Sequence, residues 1–316
     1  MSEQILDEYD VVVVGGGPAG LNGAMMLGRS RRSVLVVDAG DPRNATADAV
    51  HGLLGHDGTP PAELRERGRA EVRRYGGHLV DGAATGAARL DDGFVVSIEG
   101  GRTVRARRLL VTTGLADELP DVPGLSERWG RDVLHCPYCH GWEVRDRAIG
   151  VLGTGPTSVH QALLFSQLSD DVVLVTHAAP PLDDEQAGLV AARGVRVVSG
   201  EVTGVEVADD RLTGLRLSDG TLVEREVVAV ATRMVARAGF LGDLGLHPVE
   251  HPSGMGVHLP AEPVTGRTDV PGVWAAGNVV DLSAQVGASA AAGAMAGAHI
   301  NADLVMADAA RPVSRR

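Results

Sequence analysis

Asp10 to Val14 closes on four consecutive valines, the pattern expected of a parallel strand buried on both faces. It runs directly into Gly15-Gly16-Gly17-Pro18-Ala19-Gly20, where a helix is predicted to open and to continue through Leu21 to Leu27. A second β-rich run, Ser33 to Val37, ends in Asp38. Together these segments make one βαβ unit. Gly15, Gly17 and Gly20 fit the G-x-G-x-x-G spacing, which lets backbone approach a pyrophosphate, and Asp38 stands near where a carboxylate meets a ribose hydroxyl. The unit reads as a dinucleotide site.

A second unit repeats the pattern. Ala148 to Leu152 reads as a strand, Gly153-Thr154-Gly155-Pro156-Thr157-Ser158 as its turn, an apolar helix follows to Leu168, and Val172 to Thr176 re-enters a strand. A third segment, Pro271-Gly272-Val273-Trp274-Ala275-Ala276-Gly277-Asn278, is a short strand ending in a tight Gly turn. The small residues that follow through Ala298 predict a closely packed helix, and the segment reads as the other wall of the first nucleotide domain. The expected fold is therefore α/β, with two nucleotide-binding, Rossmann-like domains, the second inserted into the first. Residues 1–116 and 245–316 are expected to form the discontinuous domain and 117–244 the insert, with Pro120, Pro123 and Gly124 marking the first crossing as a linker.

The chain's 316 residues suit two domains, each large enough to bury a core. Charge narrows the chemistry further. Against 41 acidic residues stand 29 basic ones, all of them arginine, for a net −12 at neutral pH. That balance disfavours nucleic acid and anionic membrane as partners. The lack of lysine removes Schiff-base catalysis and the P-loop. Met1 to Asp10 is acidic and does not read as a signal peptide, and the apolar stretch Val286 to Ala298 is short for a membrane span, so a cytoplasmic protein is expected. Arg65 to Arg74 alternates Arg and Glu at helical spacing and reads as a solvated face.

Two cysteines exist, Cys136 and Cys139, placed as one CxxC with no other thiol in the chain, which suggests a redox pair. His140 follows directly. With an ordinary pKa of about 6.5, a histidine can both take and give a proton near neutral pH. His135-Cys136-Pro137-Tyr138-Cys139-His140 also offers four soft ligands, but a tetrahedral zinc site usually draws its second pair from a separate segment, so no metal is expected. His51 and His56 lie in the glycine-rich stretch His51 to Pro61, which either lines a pocket above the cofactor or, as is commoner for a lone loop histidine, is solvated.

Gly15 to Gly20, Thr112-Thr113-Gly114, Cys136-Pro137-Tyr138-Cys139 and Thr268 to Gly277 fall in the order and spacing that resemble the low-molecular-weight thioredoxin reductase family. The resemblance implies FAD in the discontinuous domain, a redox disulfide in the insert, and a homodimer. Gly15, Gly17, Pro18, Ala19 and Gly20 would cradle the pyrophosphate at a helix N-terminus, and Asp38 with Ala39 would meet the ribose. Arg43 and Asn44, in the loop after that strand, are expected cofactor contacts. Thr113 and Gly114 resemble the turn beneath the cofactor, and Gly277 with Asn278 the ribityl contact, where the family usually has Asp. Gln285 and Val286 would reach the flavin ring.

Two departures redirect this reading. Members that use NADPH carry arginines after the second strand of the insert, where this chain has Thr176-His177-Ala178-Ala179-Pro180-Pro181, and they place Asp where His140 stands. Asp183 and Asp184 lie beyond the prolines, poorly placed for a ribose, and Ser158 replaces the third small residue of the turn, where its hydroxymethyl is expected to hinder close packing. With Cys136 to Glu143, these features look like the dithiol oxidase branch, similar to enzymes that form the disulfides of gliotoxin and holomycin. The expected activity is oxidation of a small-molecule dithiol through Cys136, Cys139 and His140, with electrons passing by FAD to O2 to give H2O2. The competing expectation is a thioredoxin reductase that uses NADPH atypically or is fed by ferredoxin.

Overall fold

A computed structural model describes residues 5–310 and divides the chain into two compact units. Of the described residues, the first comprises 5–45, 53–116 and 234–310; the second comprises 46–52 and 117–233. The structure therefore departs from the expected boundaries in two places. The chain returns to the first unit at 234 rather than 245. Met234 and Val235 pair with Gly256 and Val257, and Ala236, Ala238 and Leu241 are buried in the first unit's core, so this stretch has its partners there. Seven residues from the middle of the first segment, 46–52, belong to the second unit.

In the first unit the valines of Glu8–Val14 pair in parallel with Val34–Asp38 on one side and Arg102–Val111 on the other. His78–Asp81 extends one edge. On the other side, Arg102 to Ala106 pairs antiparallel with Gly93–Ile98, whose hairpin partner is Ala84–Leu90, while Leu109 to Val111 takes Val273–Ala275 in parallel. The segment read as a second wall is thus a strand of the same sheet. Val11, Val13, Val34 and Val36 are fully buried, as the unbroken β-branched pattern requires.

The helix Pro18–Arg29 packs on the closing helix Val286–Ala310 backbone against backbone. A Cβ on Gly293 would lie 1.9 Å from the Ala19 carbonyl oxygen, and one on Gly297 would lie 2.8 Å from that of Gly23. That spacing admits no side chain, which accounts for the small residues of the closing helix. The helix Pro61–Arg74 is mostly exposed, but Arg69 and Val72 are buried, so its face is not wholly solvated.

The second unit is built on a five-stranded parallel sheet in the order Arg196–Val198, Val172–Val175, Ile149–Leu152, Val227–Val230, Val133–Leu134. A three-stranded antiparallel sheet, Val202–Ala208, Arg211–Leu217 and Leu222–Glu224, shares a core with one of its faces. Among the described residues no helix is long and apolar enough to cross a membrane.

Candidate functional site

The first glycine-rich turn is shaped by contacts that exclude side chains. Gly15 has φ +113°, and a Cβ there would meet the Thr112 carbonyl oxygen at 2.3 Å; one on Gly20 would meet the Gly15 carbonyl oxygen at 1.8 Å. The helix therefore starts hard against the strand end. Gly17 is its N-cap, makes no side-chain capping bond, and has nothing within 4 Å of where a Cβ would stand. Pro18 carries no N–H, and the Ala19 and Gly20 amides of the first helical turn have no carbonyl partner within the helix, the arrangement that receives a phosphate. The positions fit a pyrophosphate in both shape and chemistry.

The other expected contacts fall around this turn to different degrees. A Cβ on Gly16 would lie 2.3 Å from an Asp38 carboxylate oxygen, which places that carboxylate beside the turn. Asp38 is 7% exposed, accepts from the Gly40 amide at 3.1 Å and pairs with Arg69 at 3.2 Å; Arg69 also reaches Asp81 at 2.8 Å. Arg69 is the residue that the sequence reading missed. Its only signal is that it lies three positions before the buried Val72 on one helix face. Gly277 has φ +79°, and a Cβ there would meet that of Ala19 at 2.9 Å, so the late Gly turn closes on the early one. Thr113 donates through its hydroxyl to the Arg237 carbonyl at 2.5 Å, and the Arg237 amide donates to the Gly114 carbonyl at 3.0 Å.

Asn278 uses its amide nitrogen as a hub, donating to the carbonyls of Asp281, Leu282 and Ala284 at 3.0, 3.4 and 2.8 Å. An Asp could not make these bonds. They set the loop that leads into Gln285, which is exposed, and Val286, which is half-buried at the start of the closing helix. Ala39 is exposed, and Arg43 and Asn44 are half-buried in a turn closed by the Ala45 amide on the Pro42 carbonyl at 3.0 Å.

In the second unit, the edge strand Val133–Leu134 ends at His135, and Cys136 caps the single helical turn Pro137–His140, with Pro137 at the first position. One turn brings residues three apart onto one face. Cys136 and Cys139 are joined as a disulfide, with their Cα atoms 5.3 Å apart. The His135 imidazole lies 3.3 Å from the Val230 carbonyl, and its own carbonyl accepts from Gln161 at 2.7 Å. His140 is half-buried, and its Nε2 is shielded from solvent without a hydrogen-bond partner. Burial holds its pKa below the ordinary histidine value; Glu143 and Asp48 act against that shift, and His51 adds to it. At neutral pH it is a neutral base.

The second glycine-rich turn differs from the first at its sixth residue. Ser158, 1% exposed, accepts through its hydroxyl from the amides of Thr154 at 3.1 Å and Gly155 at 3.4 Å. The expected obstruction of helix packing is absent; the hydroxymethyl turns back and takes up the turn's own N–H groups. The loop after the strand folds onto the same turn, with the Ala178 and Ala179 amides donating to the Gly153 carbonyl at 3.1 and 2.9 Å. Asp183 and Gln186 form a reciprocal capping box on the helix Asp184–Ala192, which commits the Asp183 carboxylate. The remaining cleft of about 210 Å³, lined by Gly155, Pro156, Thr176, Pro180, Pro181 and Asp183 among others, is below the roughly 300 to 1,000 Å³ that usually holds an organic ligand.

Known proteins place this arrangement in context. The thioredoxin reductase tcpT of Claviceps purpurea (strain 20.1) is 33% identical, over 93% of this chain and 95% of its own length. The solved structure of HlmI is 45% identical, covers 98% of this chain and 96% of its own, and superposes with a TM-score of 0.89. An oxidoreductase from Agrobacterium tumefaciens is 35% identical, with a TM-score of 0.87 over 95% of this chain and 99% of its own. Residues 9–298 match the pyridine nucleotide-disulphide oxidoreductases, and the chain belongs to that family as a flavin-dependent thiol–disulfide oxidoreductase.

Proposed function

We propose that the chain is an FAD-dependent dithiol oxidase that closes a disulfide in a small-molecule dithiol, with O2 as acceptor and H2O2 as product. The observation that carries this reading is Ser158, whose hydroxyl takes up two amides of the second glycine-rich turn, those of Thr154 and Gly155. The stretch Thr176 to Pro181 supplies no arginine in compensation. Losing two charge-assisted phosphate contacts at about 1.5–3 kcal/mol each weakens NADPH by roughly two to four orders of magnitude. Electrons then enter from a dithiol.

The chain's own residues support each step of that transfer. His140 takes the proton of one substrate thiol, and the thiolate attacks Cys136 Sγ. The Cys136–Cys139 bond breaks and Cys139 leaves as thiolate. The second substrate thiol attacks the substrate sulfur of the mixed disulfide and releases Cys136, so the electron pair and both protons pass to the cysteines and His140. Bound FAD, held by Gly15, Gly17, Pro18, Ala19, Gly20, Asp38, Ala39, Arg43, Asn44, Thr113, Gly114, Gly277, Asn278, Gln285 and Val286, would supply the two-electron carrier between this pair and O2. The balance is dithiol plus O2 to disulfide plus H2O2. On the same reading the working assembly is a homodimer, which mass measurement in solution checks.

The test is anaerobic. Dithiothreitol should bleach the flavin of the loaded protein while NADPH leaves it yellow, and Cys136→Ser should abolish the dithiol response with flavin still bound. Prompt bleaching by NADPH coupled to thioredoxin reduction, with no dithiol-dependent oxygen uptake, overturns the reading in favour of a reductase.

A further inference from the structure

Residues 46–52 leave the first unit and return to it, and the excursion is anchored at both ends of its length. Thr46 packs so closely on Gly130 that a Cβ there would lie 2.1 Å from the threonine hydroxyl, and Val50 is buried to 3% exposure. The next residue, His51, is thereby set with its Nε2 3.3 Å from a carboxylate oxygen of Glu143. Glu143 lies three positions after His140. A loop that crosses between units to deliver one imidazole to the redox segment has a use beyond packing.

We propose that His51 is a positioning residue of the redox centre: paired with Glu143, it balances the charge that faces the proton acceptor His140. The inference rests on the proposed function, in which Cys136–Cys139 meets a dithiol and His140 accepts its proton. The groups facing His140 are few. Glu143 from its own segment favours the imidazolium, Asp48 from the excursion does the same, and His51 opposes both. The helix packed against the redox turn, Thr157–Phe165, brings only His160, which is exposed, and Arg145 is turned onto the Trp142 ring at 4.2 Å. The His140 Nε2 has no hydrogen-bond partner to fix its protonation; burial acts on it most, and the His51–Glu143 couple shifts the balance further. Acceptance of a thiol proton puts a positive charge on His140, and the couple tunes the pH at which that site is vacant.

The couple predicts opposite effects for its two members. His51→Gln leaves the negative charge of Glu143 and Asp48 unopposed and moves the rise of rate with pH upward. Glu143→Gln moves it downward, and the double variant falls between. The experiment follows the rate at which dithiothreitol opens the Cys136–Cys139 disulfide in holoenzyme, by quenching and mass-tagging the freed thiols, from about pH 5.5 to 8.5. Dividing each variant's rate by that of the native protein cancels the ionisation of dithiothreitol. At the acid end His51→Gln is expected about three- to tenfold slower and Glu143→Gln faster, which corresponds to shifts of half to one pKa unit. Flavin content and melting temperature report folding. Profiles that move together, or not at all, in folded variants overturn the proposal, whatever the flavin does; flavin bleaching in the same samples tests the oxidase reading separately.

Discussion

Gly15 to Gly20 and Gly153 to Ser158 share one spacing, yet they part at the sixth residue. In the first turn the sixth residue is a glycine, and a Cβ there would lie 1.8 Å from the Gly15 carbonyl oxygen. In the second, the sixth residue is a serine whose hydroxyl binds two of the turn's N–H groups. A phosphate-binding turn works by leaving donors unsatisfied in a place that a ligand can reach. A hydroxyl supplied from within, as at Ser158, takes up two of them. The motif alone therefore does not establish a nucleotide site; the sixth side chain bears on which amides are available.

Four changes test this contrast, from the largest expected effect to the smallest. If electrons enter at the redox pair rather than at the second turn, removing its base by His140→Ala should cost about 10² to 10⁴ in dithiol turnover, with flavin retained. The native rate should climb as pH passes a value below the ordinary 6.5 or so and then level off, because burial lowers the imidazole's pKa and its neutral form is the active one. The same shift gives a stability term. The folded state binds this proton less readily than the unfolded chain, so the contribution is lost as pH falls below the unfolded value, which acid melts would record.

Gly20→Val should yield protein with its flavin affinity reduced on the order of 10²-fold or more, read by flavin content after gel filtration, since an overpacked contact costs about 1–3 kcal/mol and displaces the helix start as well. Arg69→Met should lower stability by about 3 kcal/mol and loosen flavin, because it strands the buried Asp38 carboxylate; melting with and without added FAD separates the two effects. Ser158→Ala should cost only about 1 kcal/mol in thermal unfolding. It should leave NADPH reduction undetectable until arginines are also placed at His177 and Ala178. Failure of the variant carrying all three changes to bind NADPH would break the comparison.

Much of the sheet was legible because its strands are buried on both faces and their sequences are correspondingly unbroken: Val11 to Val14, Val34 to Val37 and Val172 to Val175 sit where the runs stand. The glycine turns and the CxxC were legible because each is short and local. Features made by distant partners were not. Nothing near Ser158 indicates that its hydroxyl turns inward, and Arg69 looks like its exposed neighbours until Asp38 and Asp81 are placed beside it. The excursion of 46–52 and the return at 234 are decided by packing against residues far along the chain. His51 read as a solvated loop residue for the same reason.

The glycine contact between the first and last helices also sets a schedule for synthesis. Asn22 donates to the Ala290 carbonyl at 3.0 Å across 268 residues of sequence, and the Ala19 end of the first helix rests on Gly277 and Gly293. A nascent chain emerging from the ribosome thus carries its first turn without a roof until nearly the whole polypeptide has been made. Domains generally fold as units and distant contacts close late. The inserted unit, continuous from residue 117 apart from seven residues, has its strands in hand first. Ribosome-bound chains stopped before the closing helix should therefore hold the disulfide-bearing unit folded and take up no flavin, with cofactor loading as the final event of biogenesis.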